Sequence, residues 1–474
     1  MNLKRKLAGL AVAAVVALAA PAFADDAAEI KALREQIEAL DQKVRALERK
    51  RELEVEEATV KSKNAPQISI GQNGFALRSA DTNFVIRFRG LVQLDSRTFI
   101  NDNPSSLGND GFFLRRARLI FEGTVFRDFD FALVPEFGGI GTPSILDAYL
   151  SYRYAPELQL RAGKFKQPVG LERLQSDNWT FFVERGFPSQ LTADRDLGLM
   201  LHGDVGDGLL TYAAGVFNGI GDNRSAGGLI LDDQKHFAGR VFVQPFLHGD
   251  VKALRGLGVG IGGSFGNAKT AAGLPANGGY LSDALQPWFS YLSGTGTNAN
   301  VTAYGQQWRI APQASWYFGP FGLIGEYTIS SQELRRTEGP TAAPTVDLRS
   351  VKNTAWQVAA GWVLTGEDSS PKGVTPRRNF DPRSGAWGAW ELVARYGVLD
   401  VDDAVFAGAR PFANPANSAS KDTGWGVGLN WYLNRNLRAS LDYFHDEFEG
   451  GKTGTNPVTK QNENALVSRI QLAF

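Results

Sequence analysis

From Phe112 to Phe126 the chain reads FFLRRARLIFEGTVF, and its polarity alternates with a period of two. Ala117, Leu119, Phe121, Gly123 and Val125 form one set; Arg116, Arg118, Ile120, Glu122 and Thr124 form the other. Successive side chains of a strand point to opposite faces, so this spacing predicts a strand between an apolar and a charged environment. Stretches of this kind, broken by Gly, Asn, Asp and Pro, recur sixteen times. They are expected to start near Phe84, Leu114, Phe129, Ile145, Glu157, Asp196, Leu209, His236, Arg255, Gln307, Phe321, Thr354, Trp387, Gly424, Asn436 and Ala465. Polar insertions at 100–111, 171–195, 265–303, 332–352, 366–386, 400–422 and 448–463 read as loops, more numerous and longer than a soluble domain usually carries.

The N-terminal part follows other periods. Residues 1–24 have a basic start (MNLKRK), an apolar run and the small-residue site Ala22-Phe23-Ala24, the pattern of a cleaved secretory signal. Removing that segment leaves the remainder slightly acidic. Ile30, Leu33, Ile37, Leu40, Val44 and Leu47 are then spaced three and four apart, an a/d seam that predicts a coiled-coil helix over 25–58 and contact between copies of the chain. The alternative is an amphipathic helix packed on its own domain. Residues 59–67 read as a linker, and 68–474 as one β-domain.

Beyond the signal, no segment approaches the about 20 consecutive apolar residues of a spanning helix. The alternation therefore leaves two classes, a secreted β-protein or a closed β-barrel in an outer membrane. The balance of 50 basic and 50 acidic residues gives no reason to expect nucleic acid as a partner, and the absence of cysteine excludes disulfides and thiolate metal sites. The last strand, ALVSRIQLAF, sets Leu466, Ile470, Leu472 and Phe474 on one face, with Ser468 interrupting, against Val467, Arg469, Gln471 and Ala473. A terminal Phe on such a strand resembles the signal read by barrel-assembly machinery. The fold expected is an all-β, 16-stranded antiparallel transmembrane barrel with a short N-terminal coiled-coil helix.

In a bilayer the apolar face meets lipid, because Arg or Lys facing lipid at mid-depth costs about 2–4 kcal/mol. The other face then lines the lumen. The same phase sends Arg87, Arg89, Arg116, Arg118, Arg153, Arg161, Arg240, Arg309, Arg395, Arg438 and Arg469 inward. Arginine is a planar fork of donors suited to oxyanions, and a row of them lowers the barrier to anions. Pairing with Asp95, Glu122, Asp147 or Glu391 would cancel much of that field. The segment from Gly170 to Gly198 holds Trp179, Phe181, Phe182 and Phe187 beside Arg173, Arg185 and Arg195. Buried aromatics in a loop fit a segment folded into the lumen as a constriction; a contact loop between subunits is the other reading. Four scattered histidines, with neither HExxH nor a P-loop, give no enzyme, metal or cofactor signal, and the glycine-rich GVGIGG at 258–263 reads as a small-residue strand.

FFLRRARLIFEGTVFRDFDFALVPEFGG (112–139), LDAYLSYRY (146–154), LQLRAGKFKQPVGLERLQS (158–176), FVERGFPSQL (182–191), DRDLGLMLHGD (194–204), WELVARY (390–396) and the terminal IQLAF together resemble the phosphate- and pyrophosphate-selective porins of the O and P type. The resemblance spans nearly all of 68–474. It implies a homotrimeric outer-membrane barrel embedded in outer-membrane lipid, for which the N-terminal signal predicts export by the Sec pathway. It also implies an arginine ladder, here Arg87, Arg89, Arg116, Arg118, Arg153 and Arg161, leading anions to a constriction with a lysine cluster nearby. Lys164 and Lys166 are present for that cluster, but a full set is not matched. The expected function is a passive anion-preferring channel. The alternatives are a general diffusion porin and an envelope tether whose helix binds a periplasmic or cell-wall partner.

Overall fold

The computed structural model describes residues 26–72, 74–100, 110–139, 143–227, 233–450 and 462–474. The expected export segment, 1–24, lies outside these residues, as do most of the loops 100–111 and 448–463. The chain divides into two compact units, Met1–Ala65 and Pro66–Phe474. In the first, the three-and-four spacing forms one helix, α1 (Asp26–Asn64). It runs through most of the segment 59–67 expected as a linker. Its apolar seam is open: Ile30, Leu33, Ile37, Leu40, Val44 and Leu47 are 47–66% exposed.

The second unit begins with a hairpin, β1 (Gln67–Gly71) and β2 (Gly74–Arg78). There follow β3 (Val85–Phe99), β4 (Gly111–Val125), β5 (Phe129–Glu136), β6 (Ser144–Ala155), β7 (Leu158–Lys166), β8 (Arg195–Val205), β9 (Leu210–Phe217), β10 (His236–Val243) and β11 (Leu257–Ala268). A small hairpin, β12 (Gly279–Leu281) and β13 (Pro287–Ser290), sits within one loop. The wall resumes with β14 (Asn300–Phe318), β15 (Phe321–Glu338), β16 (Thr345–Val363), β17 (Ala389–Asp400), β18 (Ala419–Tyr432), β19 (Leu437–Gly450) and β20 (Glu463–Ala473). Each wall strand pairs antiparallel with the next, and β20 returns to β3 in the register Arg469↔Asp95. The result is a closed barrel of 16 strands, β3–β11 and β14–β20. Every expected strand start falls inside, or within two residues of, one of them.

Two expected loops are corrected. Residues 332–352 are mostly strand, because β14, β15 and β16 run to 19, 18 and 19 residues. A bilayer needs about 9–11, so this side of the wall extends past the membrane and its loop is only 339–344. Residues 366–386 connect β16 to β17, and chain direction puts them at the short-turn end rather than with the other long loops. There the Phe380 amide donates to the Leu433 carbonyl at 2.6 Å. Phe321 and Trp362 stack at 6.1 Å and Trp390 and Trp431 at 5.1 Å near the same end, the position of an aromatic girdle.

The polarity of the wall is inverted relative to a soluble protein. Leu150, Leu199, Phe237 and Ile470 lie open on the outside, whereas Gln93, Asp95 and Arg469 are buried within. One register slip matters. Gln93 pairs with Arg116 but the next residue, Leu94, pairs with Leu114, so Arg115 is the extra residue of a β-bulge. Beyond the bulge the phase reverses: Phe112 and Leu114 face out and Phe113 lies under the Arg97 guanidinium at 4.5 Å.

Candidate permeation path

The segment 167–194 leaves β7 and folds into the barrel, carrying a short helix, α2 (Leu171–Leu174), and a 3₁₀ turn, Phe187–Leu191. Its aromatics explain the fold: Phe181, Phe182 and Phe187 are buried against the inner wall. Gly373 packs on Trp179, where an added Cβ would lie 2.5 Å from the indole. The wall supplies the polar complement. Arg438 donates to the Thr180 carbonyl at 3.0 Å, Asn430 to the Phe181 carbonyl at 2.8 Å and Arg395 to the Glu184 carbonyl at 2.9 Å. The Val183 amide donates to Asp442 at 2.8 Å, and Arg469 donates to the Val183 carbonyl. The segment starts where the Leu171 amide donates to Glu326 at 2.9 Å. GVGIGG serves the same end: a Cβ on Gly262 would stand 2.1 Å from the Val169 carbonyl oxygen, so only glycine lets that backbone lie against β11.

Two cavities flank this segment. The upper one, about 240 Å³, is lined by Arg115, Arg116, Arg118, Arg173, Arg185 and Arg195 with Glu136, Asp177, Glu184 and Asp194. The lower one, about 560 Å³, carries Arg89, Arg118, Arg161, Lys166, Arg195 and Arg240 with Glu122, Asp147, Asp177 and Asp204. Arg118, Asp177 and Arg195 line both, and they mark the waist.

Two loop carboxylates organise the waist. Asp177 pairs with Arg118, Arg185 and, at 3.3 Å, Arg116. Glu184 takes a two-point bond from the bulged Arg115, 2.6 and 2.9 Å, and lies 3.3 Å from both Arg97 and Arg469. Burial alone would raise the pKa of each. The guanidinium groups outweigh it, chiefly Arg116, Arg118 and Arg185 around Asp177 and Arg115 and Arg116 around Glu184, and hold both below the usual carboxylate range.

The arginines expected in the lumen separate into three groups. Arg89, Arg116, Arg118, Arg161 and Arg240 line the cavities. Arg309, Arg395, Arg438 and Arg469 are buried, line neither cavity and hold inward loops: Arg309 pairs with Asp222 at 2.6 Å and Arg395 with Asp283 at 2.9 Å, Arg438 and Arg469 donate to the Thr180 and Val183 carbonyls, and Arg469 also ties β20 to β3 through Asp95 at 2.6 Å. Arg87, half-buried across the ladder from Glu122, and Arg153, bonded to the Arg127 carbonyl at 2.8 Å, sit toward the short-turn end. Of the residues assigned to the constriction, Arg173, Arg185 and Arg195 line the upper cavity. Lys166 lines the lower cavity and donates to the Gln175 carbonyl at 2.9 Å, whereas Lys164 lines neither and donates to the Ile145 carbonyl. Arg115 is a further residue of the path, concealed in the alternation by the bulge. Arg97 has the inward phase but lines neither cavity; it bonds the Ala284 carbonyl and lies 3.3 Å from Glu184.

A closed 16-stranded barrel with an apolar exterior, a charged lumen and a loop-built waist is a membrane channel of the porin class. The chain belongs to the family of phosphate-selective porins O and P, whose sequence model matches residues 86–474. It is accordingly an outer-membrane porin. Among curated protein sequences none matches it. Similar solved structures include the outer membrane channel DcaP of Acinetobacter baumannii, with 11% identity over 83% of this chain and 98% of that one and a TM-score of 0.49. OmpT of Vibrio cholerae shows 12% identity over 86% and 100%, with a TM-score of 0.48. An anion-selective porin from Comamonas acidovorans shows 13% identity over 82% and 100%, with a TM-score of 0.47.

Proposed function

We propose that this porin passes small anions in preference to cations, with phosphate, pyrophosphate or related oxyanions as favoured solutes. One observation carries the reading: each cavity flanking the waist is lined by six cationic and four acidic side chains. A net positive ring concentrates anions, and arginine forks match phosphate oxygens. The open seam of α1 supports contact between copies of the chain without setting their number; a homotrimer, Sec export, assembly through the strand ending at Phe474, and a periplasmic or cell-wall partner complete the proposed cellular setting. The general diffusion porin is the second reading. It draws on pairing: Arg89 lies 2.6 Å from Glu122, Arg118 2.5 Å from Glu136 and Arg195 3.1 Å from Asp147.

The test is the reversal potential of the purified protein in a planar bilayer under a KCl gradient, repeated with phosphate added. A chloride-selective potential with phosphate blocking the current is expected. A potential near zero or potassium-selective, without block, leaves the general porin.

A further inference from the structure

The two cavities differ in more than position. The upper one is mostly polar, with Leu146, Leu281 and Leu285 as its apolar lining, whereas the lower one joins its cations to an apolar wall that includes Ile120, Val134, Tyr149, Phe165 and Met200. Two of its arginines also differ from those above. Arg161 has no carboxylate within ion-pair distance among the described residues, and its buried Nε has no hydrogen-bond partner. Its guanidinium instead lies 4.2 Å from the Tyr149 ring and 5.6 Å from Phe165. Arg240 likewise meets no carboxylate; its Nε donates to Gln313 at 2.8 Å and its guanidinium lies 4.6 Å from the Phe242 ring. Aromatic packing behind Arg161 fixes the pair, with Tyr149 against Phe165 at 6.2 Å and Phe165 against Phe217 at 5.5 Å.

A bare oxyanion gains nothing from an apolar wall, and a neutral apolar solute leaves the guanidinium groups unanswered. A volume of about 560 Å³ falls in the range of small-molecule sites, and its lining sets an apolar patch beside charged groups. We infer that the lower cavity is a subsite for organic anions that join one carboxylate to an aromatic or short aliphatic body. The carboxylate meets Arg161 and Arg240, and the body lies along Ile120, Val134 and Met200. An arginine stacked on aromatics is weakly hydrated and keeps its in-plane donors free, so it suits such a solute better than an ammonium would. This subsite rests on the anion-preferring reading above and narrows it.

The experiment compares benzoate, acetate and benzyl alcohol as blockers of chloride current through the full-length protein in a planar bilayer. Benzoate is expected to block at a concentration at least tenfold lower than acetate, and benzyl alcohol not to block. Arg161→Gln and Tyr149→Ser are each expected to bring benzoate close to acetate. A chloride-selective channel in which benzoate is no better than acetate overturns the subsite and leaves the anion preference standing. So does an advantage of benzoate that survives both substitutions. A potassium-selective channel overturns both readings. The wild-type comparison decides the matter even where a variant fails to assemble.

Discussion

Replacing Asp177 by Asn removes one negative charge from the waist with almost no change in volume. Asp177 lines both cavities, so a passing ion meets its charge from either side. At about 8 Å in water the interaction is about 0.5 kcal/mol. Screening in 0.1 M salt leaves about 0.2 kcal/mol, and in 0.01 M salt about 0.4 kcal/mol. An anion gains what a cation loses, so the chloride-to-potassium permeability ratio should rise about twofold at 0.1 M and about fourfold at 0.01 M. Breaking a buried ion pair ordinarily costs about 3–5 kcal/mol. Here the loss is smaller, because each guanidinium keeps a second partner: Arg118 has Glu136 at 2.5 Å, Arg116 has Glu184 at 3.9 Å, and Arg185 has the Glu172 and Gln175 carbonyls at 2.9 and 2.7 Å. The variant should therefore assemble. Reversal potentials at the two salt concentrations measure the ratio directly. A ratio unchanged at both, in a variant that runs as folded barrel on an unheated gel, would place the waist somewhere other than Asp177.

Three further outcomes follow from the same geometry. Arg469→Ala strips the seam between β20 and β3 of its two-point bond and leaves Asp95 buried, so barrel unfolding on a heated gel should begin at a clearly lower temperature, in keeping with a loss of about 3–5 kcal/mol; an unchanged transition would refute the seam's role. Gly262→Ala presses a methyl on the Val169 carbonyl, 2.1 Å away, and should raise current noise by loosening the inward segment, while Gly385→Ala, with nothing within 4 Å of an added Cβ although its φ is +67°, should not. Asp177 and Glu184 have depressed folded pKa values, so their stabilisation is complete above the ordinary carboxylate range and lost as pH falls through the lowered values. The reversal potential set by these two carboxylates should stay level from pH 8 to about 5 and change only below about pH 4; a midpoint near pH 6 in the reversal potential would contradict the pairing.

The barrel was legible because its strands obey one rule, apolar to lipid and polar to lumen, over enough residues for every strand to register. What escaped was set by contacts beyond that rule. The bulge at Arg115 costs one residue of register, and nothing in FFLRRARL distinguishes the extra arginine from its neighbours. Phase also states that Arg309 and Arg395 point inward, but not that loops fold in to meet them. The lumen face is water on one side of the barrel and packed protein on the other. Likewise the lengths of β14–β16 reflect loop packing above the membrane, which hydrophobic alternation does not record. The aromatic content of the segment from Gly170 to Gly198 did foretell burial, since Phe181, Phe182 and Phe187 had nowhere else to go.

The excess of arginine over lysine in this lumen has a structural source before any functional one. A 16-stranded barrel is too wide to be filled by wall side chains, so loops enter it, and their backbone carbonyls need donors that reach from the wall. Arginine offers several donors in one fixed plane and keeps its charge when buried. That is how Arg395, Arg438 and Arg469 are used, each bonded to a carbonyl between Thr180 and Glu184. Loop carboxylates then neutralise the wall, as Asp177 and Glu184 do, and an arginine so neutralised contributes little field. Selectivity must therefore come from the cations left over. Lys166, Arg161 and Arg240 have polar or aromatic neighbours in place of carboxylates and all face the lower cavity. If the channel prefers anions, these three should carry the preference, and substituting Arg438 or Arg309 should alter stability while leaving the reversal potential where it was.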